Sequence, residues 1–146
     1  MQWKKVVEAK SSPDPEACWL AGYNNTGKQI DRYCPVCWDL GSADGFTIAA
    51  PATTNIRLAA GIVQETVGTA CYTYRIQAYG VSYAKTYGVA TNFVPGAQLV
   101  LVNAKSYLAY GTDGEASAQI PCAFIALDTH STANELSTRK VFVRLL

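Results

Sequence analysis

The chain has 146 residues, of which 49% are hydrophobic and 16% are charged, below the ~25% of an average globular protein. This length suits one domain with a core of its own. Twelve Lys and Arg residues against eleven Asp and Glu residues argue against a nucleic-acid-binding protein with a basic surface, and no apolar run approaches the ~18 residues of a membrane span.

Residues 1–20 differ from the rest of the chain. Ser11-Ser12-Pro13-Asp14-Pro15 interrupts a short apolar stretch with turn residues, and Trp3 and Trp19 flank this interruption. We predict an irregular N-terminal arm over residues 1–20 and one β domain over residues 21–146. Because the arm cannot bury two tryptophans by itself, we expect it to lie on its own domain or on a neighbour. The first residues lack the apolar segment of a signal peptide, so we expect synthesis in a reducing cytosol.

The remaining chain predicts roughly nine to eleven short strands separated by turn residues, the pattern of a β-sandwich or β-barrel. Pro35 places an edge or a bulge in the first of these strands. No long segment has a helical period, and Pro121 weakens a helix over 116–126. The predicted strands are 30–40, 46–49, 56–63, 70–79, 81–87, 98–102, 107–110, 120–127 and 140–146.

The stretch 61–81 is predicted to form the central hairpin of the domain. From residue 70 onward its side chains alternate between a bulky set and a more polar set, the period of a strand with one buried face. Gly68 and Gly80 bracket the second strand and would allow sharp turns there. The bulky set comprises Tyr72, Tyr74, Ile76 and Ala78.

The motif Cys34-Pro35-Val36-Cys37 has the spacing of half a zinc site or of a redox pair. A structural zinc site needs four ligands, however, and no second motif of this kind occurs in the sequence. Residues three apart in a strand face opposite sides, so we expect two unbridged cysteines. The odd total of five cysteines also argues against a disulfide framework.

No residue pattern predicts catalysis, a metal or a cofactor. His130 is the only histidine, and Asp128-Thr129-His130-Ser131 is typical of a solvated turn rather than of a triad. The glycines do not form a phosphate-binding loop. Tyr72, Tyr74, Tyr79, Tyr83 and Tyr87 are expected on adjacent strands, where they serve either as ordinary strand residues or as a face for protein or sugar contacts.

Several short motifs follow one another in a recognisable order between about residues 23 and 145. Together they resemble the small decoration (cement) proteins of tailed-phage capsids. The cysteine-rich strand and the arm have no counterpart in that family. The motifs are Asn25-Thr26-Gly27 before a strand, Gly61-Ile62-Val63, Gln77-Ala78-Tyr79-Gly80, Pro95-Gly96, the Ala-rich strand 123–127, a polar loop over 131–138 and the final strand Val141-Phe142-Val143-Arg144.

The resemblance implies a jelly-roll or β-tulip-like barrel that binds the major capsid protein on the outer surface of a phage head. It also implies a homotrimer that stabilises the shell, with no catalytic residue, cofactor, nucleic acid or membrane involved. On this interpretation the protein is made in the host cytoplasm and belongs to the virion. The residues expected to contact the capsid or other subunits are Trp3, Lys4, Lys5, Val6, Val7 and Trp19.

Two alternatives remain open. The first is a carbohydrate- or receptor-binding β module of a phage fibre or tail, which would use the tyrosines for stacking. The second is a small hydrolase that uses a cysteine or Asp128 and His130.

Overall fold

A computed structural model gives the fold, and it describes residues 17–42, 44–88, 93–110, 123–131 and 134–145. Within these ranges the secondary structure consists of β-strands without helices, which confirms the all-β prediction. Nothing in these ranges forms a helix long and apolar enough to span a bilayer. The strands are β1 (Cys18–Asn24), β2 (Pro35–Trp38), β3 (Thr47–Ala49), β4 (Ala59–Val63), β5 (Tyr72–Gly88), β6 (Gln98–Leu101), β7 (Leu108–Tyr110), β8 (Phe124–Ala126) and β9 (Glu135–Arg144).

Most predicted strands occur, with two differences near the chain ends. β1 begins at Cys18, so the last residues of the predicted arm belong to the sheet. β9 begins at Glu135, so the second half of the predicted polar loop 131–138 is strand. The bulge expected near Pro35 is confirmed, since the pairing of β2 with β4 shifts register between Val36 and Cys37.

The central hairpin is confirmed, because β4 pairs antiparallel with β5. The prediction that the chain turns at Gly80 is wrong. β5 continues through Gly80 for 17 residues and includes the segment 81–87 that was expected to be a separate strand. Gly80 adopts φ 99°, a conformation that glycine tolerates and that lets the strand bend without ending.

The nine strands form two closed rings that share β5. The first ring runs β1-β3-β2-β4-β5 and closes through the pairing of β1 with β5; the second runs β5-β7-β6-β8-β9 and closes through the pairing of β9 with β5. A ring with an odd number of strands cannot alternate direction throughout, so each ring needs a parallel pair. β1 with β3 and β5 with β7 are those pairs.

Two apolar cores occur, one inside the first ring and one that fills the second ring and also includes Cys37, Ile56 and Ile62. The first core contains Leu20, Val36, Ile48, Val63 and Ile76, with at least one residue from every strand of that ring. The second core is built around a group that is nearly inaccessible to solvent: Leu99, Leu101, Leu108, Phe124, Val141 and Val143. Burial of these aliphatic and aromatic side chains, at about 25 cal/mol per Å² of apolar surface, is the main force that holds both rings together.

The two rings meet at Tyr79 and Gly80. The pairing of β5 with β1 ends at Tyr79, and its pairing with β9 starts at the same residue. The buried amide of Gln77 donates to the carbonyl oxygens of Tyr79 at 3.1 Å and Val81 at 2.8 Å. This side chain supplies hydrogen bonds to the backbone where β5 passes from one ring to the other.

Candidate binding groove

An open groove lies on the first ring, between β1, the end of β2 and the start of β5. Its cavity volume is about 310 Å³, within the range of small-ligand or peptide-anchor sites. The lining is mostly apolar and aromatic. It is formed by Leu20, Ala21, Gly22, Trp38, Asp44, Gly45, Phe46, Tyr72 and Tyr74.

Three aromatic rings pack together at one side of the groove. Tyr23 and Tyr72 are direct cross-strand partners on β1 and β5, and their ring centroids are 4.8 Å apart. Phe46 stacks on Tyr72 at 6.0 Å and meets Tyr23 edge-on at 6.5 Å. Such contacts hold each ring in one orientation.

The aromatic side chains of the groove expose much of their surface despite these contacts. Tyr74 is 72% exposed, Tyr72 is 61% exposed and Phe46 is 38% exposed. Large aromatic residues that remain exposed together on a folded domain are typical of a binding surface.

Asp44 fixes the loop that carries Phe46. Its Oδ1 accepts hydrogen bonds from the backbone N–H groups of Phe46 at 3.0 Å and Thr47 at 2.9 Å, and its Oδ2 accepts the Thr47 hydroxyl at 2.6 Å. The Thr47 hydroxyl and the Phe46 backbone hold the pKa of this carboxyl well below its usual range. Asp44 therefore stays ionised at the edge of the groove, with its oxygens engaged in holding the loop.

Of the residues expected to contact other molecules, Trp19 lies in the described part of the chain. Its side chain is half-buried on β1, opposite Gln77 and next to Leu20, which lines the groove. Adjacent strand residues face opposite sides, so Trp19 and Leu20 belong to different faces of β1. Trp3, Lys4, Lys5, Val6 and Val7 lie outside the described residues, and their contacts stay a prediction.

The five tyrosines of the central segment lie on one strand rather than on adjacent strands. Tyr72 and Tyr74 belong to the groove. Their expected burial is wrong, because only Ile76 and Ala78 of the bulky set enter the core. Tyr79, Tyr83 and Tyr87 lie farther along β5, where they pack against Phe142, Tyr33 and Tyr107.

Cys34, which directly precedes β2, and Cys37 on β2 face different cores and are unbridged, as predicted. Cys34 belongs to the first core and Cys37 to the second. Burial raises the pKa of the Cys34 thiol and raises that of Cys37 to about 12, so neither is a thiolate nucleophile near neutral pH. Among the described residues, no group of three or more His, Cys, Asp or Glu side chains has a geometry that would hold a metal ion.

Asp128 and His130 do not form a catalytic constellation with any described nucleophile. The Asp128 Oδ2 accepts the backbone N–H of Lys140 at 3.0 Å. The expectation of a solvated turn is wrong for His130, which is fully buried with its ring centroid 5.2 Å from that of Phe93. No described side chain donates to or accepts from its ring nitrogens. Burial and the nearby positive charge of Arg139 lower its pKa, which keeps the imidazole neutral.

Sequence reasoning missed the part of the groove that Trp38, Asp44 and Phe46 contribute. In the sequence, the turn residues 41–45 are followed directly by an aromatic residue, Phe46. This pattern does not predict the contact of Phe46 with Tyr72, because that contact depends on the parallel pairing of β1 with β3. No protein-family model and no curated protein sequence matches this chain.

Proposed function

We propose that the protein is a non-enzymatic capsid decoration protein that binds the outer surface of a phage head, as a trimer, and stabilises the shell. The observation that carries this proposal is the exposed aromatic groove on a closed β-barrel. The order of the sequence motifs supplies the class of partner, and the groove supplies a surface suited to bind it.

The composition of the groove favours a protein partner. Aromatic residues are enriched at the centres of protein interfaces, where a few of them contribute most of the binding energy. Tyr72, Tyr74, Phe46 and Trp38 provide such a centre. Asp44 supplies one negative charge at its edge, which suits an interface with a polar rim.

The groove is also organised before binding. Tyr72 and Tyr74 lie on the long strand β5, and Asp44 fixes the loop of Phe46. Little side-chain or loop entropy is therefore lost on binding, and more of the apolar contact energy is available for affinity. Repeated over many sites on a shell, such contacts would oppose rupture from internal pressure.

The charged and nucleophilic groups described above support a binding role rather than catalysis. Asp44 and Asp128 accept backbone hydrogen bonds, and Cys34 and Cys37 are buried in separate cores. An enzyme would need at least one such group placed at a substrate site with a partner that activates it.

The proposal is tested by light scattering of the purified protein, followed by co-sedimentation with undecorated heads of the phage that encodes it. A trimer that pellets at a fixed stoichiometry is expected. Tyr74→Ala should weaken binding by about tenfold, since a central aromatic residue contributes on the order of 1–2 kcal/mol. Val94→Ala, at a site that is 60% exposed and is not part of the groove lining, is the matched control. A wild-type monomer that stays in the supernatant would refute the proposal.

A carbohydrate- or receptor-binding module is the second candidate. The stacked pair Phe46 and Tyr72, with the charged Asp44 beside it, is an arrangement that could hold a sugar ring by stacking. A glycan array discriminates the two proposals. Binding to a defined glycan that Tyr74→Ala abolishes, without binding to heads, would favour this second function.

A further inference from the structure

The longest pairing among the described strands presents a second surface, on the part of β5 that follows the groove tyrosines. β5 and β9 pair antiparallel over ten consecutive residue pairs, from Tyr79 with Arg144 to Gly88 with Glu135. Burial alternates along both strands, so one side faces the second core and the other faces outward. The outward side, here called the β5–β9 face, consists of Tyr79, Val81, Tyr83, Lys85 and Tyr87 on β5 and Leu136, Thr138, Lys140, Phe142 and Arg144 on β9.

The charges on the β5–β9 face are all positive. Its ten positions include Lys85, Lys140 and Arg144 and no carboxylate. Lys85 already has an anionic partner, because its Nζ forms an ion pair with the Asp31 carboxylate at 3.0 Å. Within the described ranges, no side chain forms an ion pair or hydrogen bond with the charged groups of Lys140 and Arg144. These two cations are available to an anionic partner.

Aromatic side chains lie between the cations. Tyr79 and Phe142 meet edge to face at 5.4 Å, and Tyr83 packs against Tyr33 at 6.0 Å. The Arg32 guanidinium lies 4.4 Å above the Tyr33 ring, so it adds a further positive charge beside the face. Tyr83 and Leu136 are each 49% exposed.

The position of Tyr33 is fixed by the backbone rather than by its side chain alone. Tyr33 adopts φ 69°, which is unfavourable for a residue with a bulky side chain. Its backbone N–H donates to the carbonyl oxygen of Val63 at 2.7 Å. Its own carbonyl oxygen accepts the backbone N–H of Lys85 at 2.8 Å. Both bonds hold the strained residue so that its ring rests on Tyr83 and carries Arg32 next to the face.

We propose that the β5–β9 face docks an acidic protein surface, whose carboxylates would meet Lys140, Arg144 and Arg32 around an apolar centre at Tyr83 and Phe142. Unpaired cations around aromatic residues fit the charged rim and apolar centre of such an interface. A single nucleic acid strand fits less well. Four of the rings pack against one another in pairs rather than forming an open stacking platform, and the cations are too few for a phosphate backbone.

The inference does not depend on the capsid proposal, and its test uses defined polymers. The full-length protein is applied to beads that carry poly-L-glutamate, a random glutamate–tyrosine copolymer or an oligothymidylate, and the affinity is measured over a salt series. Wild-type protein is expected to bind the copolymer most tightly, because it offers carboxylates and apolar side chains together.

The variants separate the β5–β9 face from general charge. Lys140→Glu with Arg144→Glu should weaken copolymer binding by about tenfold, since two attractions become repulsions. Lys28→Glu with Lys105→Glu changes the net charge by the same amount at exposed sites elsewhere. This double variant should change the affinity for the copolymer less than about twofold. Three outcomes would each overturn the inference. They are equal losses in both double variants, no binding by the wild-type protein, and tighter binding to oligothymidylate than to the copolymer.

Discussion

A Cβ atom on Gly61 would collide with the backbone carbonyl oxygen of Gln77 on the neighbouring strand. Gly61 lies in β4 next to Ile62, which pairs with Gln77, and its φ of +148° is rarely adopted by other residues. The obstructing atom belongs to the backbone of β5, so no side-chain rotation can relieve the collision. The close approach of β4 to β5 in the first ring therefore requires glycine at this position.

We expect Gly61→Ala to lower the free energy of unfolding by about 3 kcal/mol or more, because backbone strain and steric overlap add. Urea denaturation at neutral pH measures this loss. Gly27→Ala is the matched control, since Gly27 also has a positive φ of 71° but no atom lies within 4 Å of its would-be Cβ. The control should lose only about 1 kcal/mol. Similar losses in both variants would mean that conformation alone, without the collision, explains the effect.

The Asp44 carboxylate should stabilise the fold only while it is ionised. Its pKa in the folded protein lies below the 3.8 of an unperturbed carboxyl, so its contribution is complete above about pH 4 and is lost as the pH falls further. Asp44→Asn should therefore show a smaller fall in melting temperature between neutral pH and pH 3 than the wild-type protein. Asp39→Asn removes a half-buried carboxylate that accepts a single backbone N–H, from Gly41 at 2.9 Å, and controls for the loss of one charge; an equal change in that variant would contradict the assignment.

Acidification should also cost stability through His130, in a pH range above that of Asp44. Its pKa in the folded protein is below the ordinary 6.5, so the unfolded chain binds a proton more readily and the folded state loses stability as the pH falls below 6.5. We expect the urea midpoint of the wild-type protein to decrease between pH 7 and pH 5. His130→Gln removes the titrating group, and its midpoint should be nearly constant over that interval. A parallel decrease in both proteins would assign the effect to other groups.

Cys37 should limit stability at alkaline pH. Burial raises the pKa of its thiol from 9.0 to about 12, so the folded state resists ionisation that the unfolded chain undergoes. Its contribution is complete below pH 9 and is lost as the pH rises toward 12. Denaturation at pH 8 and pH 10 measures how much the free energy of unfolding changes between these two pH values in the wild-type protein and in Cys37→Ala. Cys71→Ala, at an exposed cysteine, is the control and should show the wild-type change.

The local pattern of the sequence predicts those features that depend on strand periodicity. The separation of Cys34 and Cys37 into different cores follows from the alternation of side chains in extended chain, and the β4–β5 hairpin follows from two apolar stretches around a turn. The first strand was missed because prolines precede it and Gly22 interrupts its apolar pattern. Its formation depends on pairing with β5, which is distant in sequence.

Ring closure and the groove depend on contacts that no local pattern specifies. Gly80 has the residue type of a turn. The residues before it pair with β1 and those after it pair with β9, however, so the strand continues. Likewise, Tyr72 and Tyr74 have the spacing of buried residues, yet both side chains stay mostly exposed, while Thr73 between them is buried. The register of β1 with β5 shifts between the Leu20–Ile76 pair and the Gly22–Thr73 pair, and this shift is a property of the assembled ring.

The sharing of β5 by both rings makes the molecule one folding unit. The pairings that close the first ring use residues 72–79 of this strand, and those that close the second ring use residues 79–88. The second core also includes Cys37, Ile56 and Ile62, which belong to the part of the chain that forms the first ring. Because this apolar cluster spans both rings, the halves should unfold together in a single transition, and any force applied across the molecule would pass along the backbone of this one strand.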